Sequence, residues 1–150
     1  MLVVLIIGLL AVTVSLALPD SAQQQLERDA RRLQAQIALA MEQAIYRNRD
    51  YGLLIGADSY RFYQREGDAW VALEADSRLT QRPLREDTEL ALRMDGEVLV
   101  GEAKAPQIYI LSDGQVSAFE LTLRHPDAER PQRLRADFGG DLQLLEVTPP

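Results

Sequence analysis

From Leu2 to Leu18 the chain reads LVVLIIGLLAVTVSLAL, and no charged residue appears before Asp20. Twelve of these seventeen positions are Leu, Ile or Val, and each favours insertion at the centre of a bilayer by roughly 0.3–0.6 kcal/mol. As a helix the run extends about 26 Å, at the short end of what crosses a membrane. Pro19-Asp20-Ser21 then supplies a kink or a fresh cap. From Ala22 to Arg47 there is neither Gly nor Pro, and Leu26, Ala30, Leu33, Ile37, Met41 and Ala44 recur at spacings of three and four, with Ile45 beside them. That stripe predicts an amphipathic helix packed on a sheet. The opposite face carries Glu27, Arg28, Asp29, Arg31, Arg32, Gln34, Gln36, Glu42 and Gln43. The two segments together predict one helical spine over 2–47, bent at Pro19, half apolar on all sides and half packed on a folded domain.

After Asn48 the period changes. Tyr51-Gly52 is expected to end the helix. Short β-prone segments follow at Leu53–Ile55, Tyr60–Gln64, Ala69–Leu73, Leu90–Met94, Val98–Gly101, Gln107–Leu111, Ser117–Arg124, Arg133–Phe138 and Leu142–Val147. Asp95-Gly96 and Asp113-Gly114 are dipeptides that tolerate positive φ, and each is expected to close a hairpin. Glu66-Gly67-Asp68 makes a third turn. The fold class is α+β, a long N-terminal helix on an antiparallel sheet or sandwich. Its three parts are residues 1–19, 20–48 and 49–150.

The apolar run admits three readings. A cleaved signal peptide normally has a basic n-region, which this chain lacks, although Ser15 and Ala17 form a small-x-small cleavage pattern. A buried core helix is disfavoured because 150 residues could hardly cover one apolar on every side. A retained membrane helix is favoured by the amphipathic stretch that continues it. Formal net charge is −7, which argues against nucleic acid, because phosphate binding needs clustered Lys and Arg. The chain has no cysteine, so disulfides and thiolate-ligated zinc are excluded.

An apolar N-terminal helix, an amphipathic extension and a C-terminal β domain form the pilin plan, and LVVLIIGLLA resembles the N-terminal signature of type IV pilins and pseudopilins. Three later stretches resemble the H-type minor pseudopilins of type II secretion, the GspH family. They are MEQAIYRNRDYGL, then Tyr60-Arg61-Phe62-Tyr63 followed by Trp70, and PQIYILSDGQVSAFEL at Pro106–Leu121. The resemblance implies an inner-membrane protein crossing once, with its β domain in the periplasm, that joins the tip of the pseudopilus to its shaft. It implies the major G-type and minor I-, J- and K-type pseudopilins as partners. The residues expected to pack in the membrane and in the helical bundle are Leu2, Val3, Val4, Leu5, Ile6, Ile7, Gly8, Leu9, Leu10, Ala11 and Ser15. Gly8, Ala11 and Ser15 share one face and permit close helix approach. Family members carry a basic leader, a glycine cleavage site and Phe-Thr-Leu-x-Glu before the apolar run. This chain starts inside that run, so upstream residues are expected and no processed or methylated residue is assigned. Two other readings are a minor pilin of a type IV pilus and a secreted periplasmic binding module with a cleaved signal peptide.

Catalysis finds little support. His125 is the only histidine, so any Ser-His-Asp triad would have to use it, and no nucleophile elbow accompanies it. Asp137-Phe138-Gly139 matches a kinase tripeptide without the Gly-rich or catalytic loops. Asp113, Asp127, Glu129 and Asp141 lack the spacing of a calcium loop. Trp70, Tyr60, Phe62 and Phe119 are expected in the core. The reading is a non-enzymatic protein with no cofactor and no metal.

Membrane retention is predicted to depend on Leu2–Leu18. Deleting them should release a soluble domain, because the amphipathic stripe can still pack on the sheet. Fractionation followed by denaturant unfolding checks this. An aggregated product without a cooperative transition would overturn the two-part division.

Overall fold

The computed structural model describes residues 21–74, 77–81 and 83–147. Helix α1 spans Ala22–Arg47. Ser21 caps it: its hydroxyl accepts from the Gln24 N–H at 3.2 Å, and the Gln24 carboxamide accepts from the Ser21 N–H at 3.3 Å. This reciprocal box satisfies two donors that the first turn would otherwise leave open. Ser21 is extended, at ψ 156°, so α1 starts afresh there, with the fresh cap that Pro19-Asp20-Ser21 allowed. The preceding run, Leu2–Leu18, lies outside the described residues. At the other end the helix stops at Arg47, where the predicted spine ends, and Asn48 caps it ahead of Tyr51-Gly52. Asn48 takes a left-handed conformation, φ 51° and ψ 50°, which asparagine tolerates better than most side chains. Its N–H reaches the Ile45 carbonyl and the Arg49 N–H reaches that of Ala44.

The described residues then form nine strands in two antiparallel sheets. Sheet one comprises β1 (Tyr51–Ile55), β2 (Tyr60–Glu66), β3 (Ala69–Ala72) and β6 (Ile108–Ile110), in the order β3-β2-β1-β6. Sheet two comprises β4 (Glu89–Met94), β5 (Glu97–Leu99), β7 (Phe119–Arg124), β8 (Gln132–Ala136) and β9 (Leu142–Glu146), in the order β5-β4-β7-β8-β9. Each of the nine predicted segments overlaps one of these strands. The β4–β5 hairpin closes as expected through Asp95 at φ 51° and Gly96 at φ 82°, with Met94 opposite Glu97. Positive φ at both central positions gives the twist that antiparallel strands require.

Asp113-Gly114 behaves differently from its expected role. It turns the chain and bridges Ile110 to Val116, but the strand that follows belongs to the other sheet, where β7 pairs with β4 and β8. Ser117 explains the departure. Its hydroxyl accepts from the Tyr109 N–H at 2.9 Å, so a side chain occupies a ladder position that a partner strand's backbone would take.

The core lies between α1 and both sheets. One stripe of the helix, Leu26, Ala30, Leu33, Ile37, Ala40 and Ala44, is buried, and so are Leu53, Phe62 and Ile108 of sheet one and Leu121, Leu123 and Leu134 of sheet two. The helix touches β1 and β6 on one side and β7, β8 and β9 on the other. Between β3 and β4 the chain crosses over α1 as a strap. Leu79 of the strap is 1% exposed. Gln36 on the helix donates its amide to the carbonyls of Arg78 at 3.3 Å and Thr80 at 3.1 Å, and its oxygen accepts from the buried Tyr60 hydroxyl at 2.7 Å. A second tie joins Arg85 to Gln25 at 3.0 Å.

Tyr60, Phe62 and Phe119 are buried as expected, whereas Trp70 is a correction: it is half-buried on the outer face of sheet one. The reason is Gly52. A Cβ built there would stand 2.6 Å from the Pro106 Cβ and 3.1 Å from the Trp70 ring. The indole and the proline fill the gap left by the missing side chain. Trp70 also stacks on Tyr109, with ring centroids 5.7 Å apart and planes at 4°, and the Arg65 guanidinium lies 5.4 Å from its centroid.

Two stability predictions follow from these contacts. Gly52→Ala forces backbone or Pro106 to move and should cost about 1–3 kcal/mol; unchanged denaturant stability would show that the strand gives way freely. Gln36→Leu strips an acceptor from Tyr60 and a donor from two strap carbonyls, and should cost about 2–3 kcal/mol, against about 1 kcal/mol for Tyr60→Phe. Equal losses in the two variants would show that the strap carbonyls do not depend on Gln36.

Candidate assembly surfaces

Seven residues of α1 were expected to pack on the sheet. Leu26, Ala30, Leu33, Ile37 and Ala44 are buried, and Met41 is half-buried with its terminal methyl 2.7 Å from where a Cβ on Gly140 would stand. Ile45 departs from the expectation. It is 59% exposed, because one step beyond Ala44 rotates its side chain off the covered stripe. Only its tip approaches the fold, near Gly114. Ala40 takes a place on the buried face that the spacing argument passed over. Asp29 and Gln36, assigned by pattern to the polar face, are buried. Asp29 is satisfied by Arg32 at 3.5 Å, and Gln36 by the strap. A long-range hydrogen-bond partner leaves no periodic signal, so the burial of Gln36 could not be read from hydropathy.

The opposite face of α1 is left uncovered by both sheets. Gln24, Arg28, Arg31, Ala35, Ala38 and Glu42 recur along it at spacings of three and four, and all are exposed. Small side chains at its middle let another surface approach the backbone closely. The expected membrane-packing residues, Leu2, Val3, Val4, Leu5, Ile6, Ile7, Gly8, Leu9, Leu10, Ala11 and Ser15, lie outside the described residues. Among the described residues no helix is long and apolar enough to cross a membrane.

A cleft of roughly 360 Å³ opens between the sheets, lined by Ile55 and Ala57 on one side and Leu92, Val98 and Val100 on the other. Gln107 borders it. Its carboxamide accepts from the Ile55 N–H at 2.9 Å and donates to the Ile55 carbonyl at 3.0 Å, so one side chain extends the ladder of β1 where β6 has not yet begun. The sequence offered no sign of this, because a glutamine imitating a strand looks like any polar loop residue.

The chemistry-bearing residues do not converge. His125 is 8% exposed, and both ring nitrogens are in use: Nδ1 accepts from the Asp127 N–H at 3.0 Å and Nε2 faces the Glu86 carbonyl at 3.0 Å. An imidazole so held fastens two loops together and has no lone pair free for a nucleophile. Asp137 accepts from the Asp141 N–H through its carboxylate, and Asp113 does the same for Gln115. These are turn-forming bonds. Among the described residues no group of three His, Asp or Glu side chains is placed to hold a metal ion.

The sequence and the fold each have close counterparts. The family model for type II transport protein GspH matches residues 29–140. Type II secretion system protein H of Pseudomonas aeruginosa is 32% identical, covering 95% of this chain and 86% of its own length. The proteins of the same description from Aeromonas hydrophila and Vibrio cholerae are 29% and 27% identical, each over 97% of this chain. Among solved structures, the minor pseudopilin EpsH of the Vibrio cholerae type II secretion system superposes with a TM-score of 0.72 at 24% identity, covering 83% of this chain and 98% of that one. The solution structure of Escherichia coli GspH gives 0.67 at 22% identity, covering 85% and 92%. A helix on two antiparallel sheets, with the family match spanning both, makes this chain a member of the GspH family, the H-type minor pseudopilins of type II secretion.

Proposed function

We propose that the chain is a subunit of the type II secretion pseudopilus that sits near its tip and links the tip to the shaft. Leu2–Leu18 hold it in the inner membrane before assembly, with the β domain in the periplasm. On incorporation the apolar run exchanges lipid for the helices of neighbouring subunits. The partners are the major G-type and the minor I-, J- and K-type pseudopilins. The protein acts by assembly and not by catalysis. The match of residues 29–140 to the family carries this reading. The stripe of α1 from Gln24 to Glu42 supports it, because neither sheet covers it and a neighbouring subunit can reach it.

Isolation of the full chain from membranes of a secreting cell tests the reading directly. Co-isolation of other pseudopilins, together with loss of protein export when the gene is removed, is the expected result. Export unchanged by that removal would overturn it. Within the apolar run, Gly8→Leu should leave insertion intact, since leucine inserts better than glycine. It should lower recovery of partner pseudopilins about fivefold, because the added side chain holds the helices apart. Unchanged recovery would mean that the Gly8–Ala11–Ser15 face meets no other helix.

A further inference from the structure

Sheet two carries a row of five leucines on its inner face. The ladder sets Leu99 of β5, Leu92 of β4, Leu121 of β7, Leu134 of β8 and Leu144 of β9 side by side. Leu92, Leu121 and Leu134 are 3% exposed or less, and Leu144 packs against the core. Leu99 belongs to the same row yet is 42% exposed. The layer that covers the other four stops at the cleft between the sheets, where Leu99 shares the lining with Ile55 and Ala57. Among the described residues Glu102 is the one charged side chain of that lining.

The backbone beside the cleft is open as well. β5 is the edge of sheet two, and among the described residues no strand pairs with its other side. Met94 lies opposite Glu97 across the two-residue turn, so these two close the hairpin with the first pair of ladder bonds. Bonded pairs alternate along an antiparallel ladder. The N–H and C=O of Val98 therefore point away from β4, out of the edge. Val98 and Val100 are 50% and 93% exposed, and Gly101, at φ 107°, then bends the chain. Glu97-Val98-Leu99 carries no Lys or Pro to discourage pairing, and its one charge lies at the turn. The other edges differ. Ser117 takes both backbone groups of Tyr109 on β6. β9 lies beside α1, and β3 opens on a hollow lined by Arg47, Glu66, Glu74 and Arg78. Among the described strands β5 alone joins outward main-chain groups to an apolar slot.

We infer that β5 is extended by a strand from a neighbouring pseudopilin, which pairs with the free edge and places an apolar side chain in the cleft against Leu99. Main-chain groups at strand spacing are met by another extended backbone, and the slot selects the side chain that alternates inwards. The added strand supplies the cover that the leucine row lacks at its first member. The inference rests on the assembly reading above and names a surface that serves it.

The test uses the full chain in membranes of the secreting cell. p-Benzoylphenylalanine is placed at position 100 and, as a comparison, at position 71, where Val71 is 41% exposed on the edge of sheet one. Illumination should join position 100 to another pseudopilin, and position 71 to none or with far lower yield. Val98→Pro removes the outward N–H and leaves the bonds to β4 in place. It should lower the position-100 adduct about tenfold, whereas Val98→Thr, which keeps the N–H, should not. Leu99→Glu puts a charge in the slot and should lower the adduct as much; it decides the matter if Val98→Pro fails to fold. An adduct indifferent to Val98→Pro in a folded chain, or to Leu99→Glu, would overturn strand addition, and so would equal yields at positions 100 and 71. If pseudopilins co-isolate but position 100 joins none of them, or only a second copy of this chain, the inference fails and the assembly reading stands. If no pseudopilin co-isolates, both fall together.

Discussion

Everything in this domain depends on one helical stripe serving two sheets. Leu26, Ala30, Leu33, Ile37, Ala40 and Ala44 lie at 2% exposure or less, and the elements they meet come from both sheets. Neither sheet pairs with the other across a continuous ladder. What makes one core of them is the apolar surface of α1, together with the strap and the crossing at Asp113-Gly114. Three alanines share the stripe with three large residues, so the helix can lie close to the strands at the alanines while Leu33 and Ile37 fill the space between the layers. A polar residue at Leu33 would therefore disturb both sheets, not one.

The fold was largely legible because its signals are local. A period of three to four in α1, short β-prone segments and Asp-Gly turns each depend on neighbours in sequence, and all produced elements close to those observed. What escaped depends on residues far apart in the chain. Gln36 is separated from Thr80 by the whole of sheet one's first hairpin, and hydropathy places it on the wet side. Trp70 reads as core by composition, yet Gly52 supplies a slot for it on the outer face. Asp113-Gly114 has the residues of a hairpin, but its pairing ends at Ser117, whose hydroxyl takes the Tyr109 N–H, and the following strand joins the other sheet. Ile45 looked like part of the stripe because it is apolar and adjacent, but one hundred degrees of helical rotation separates it from Ala44.

The same distinction applies to function. Family membership could be inferred from short stretches such as PQIYILSDGQVSAFEL, and the structure gives several of their residues physical tasks. Pro106 and Trp70 cover Gly52, Tyr60 anchors Gln36, and Tyr109 supports the indole. These are tasks of shape, which is what a subunit built to assemble requires. The outward stripe of α1 is assembled from exposed residues of mixed character, and it becomes visible as a surface only when both sheets are seen to leave it uncovered.

The strap gives the helix a mechanical property. α1 is gripped along two of its sides, by the strands and by the segment through Leu79, and is fastened to that segment by Gln25 and Gln36. A pull along the axis cannot open these fastenings one after another, as peeling a strand from an edge would. It must slide the entire buried stripe at once and displace Tyr60 and the strap carbonyls in the same movement. Loading in shear spreads a force over every contact together. A subunit hauled by its N-terminal segment would therefore transmit the force to its β domain as a rigid whole.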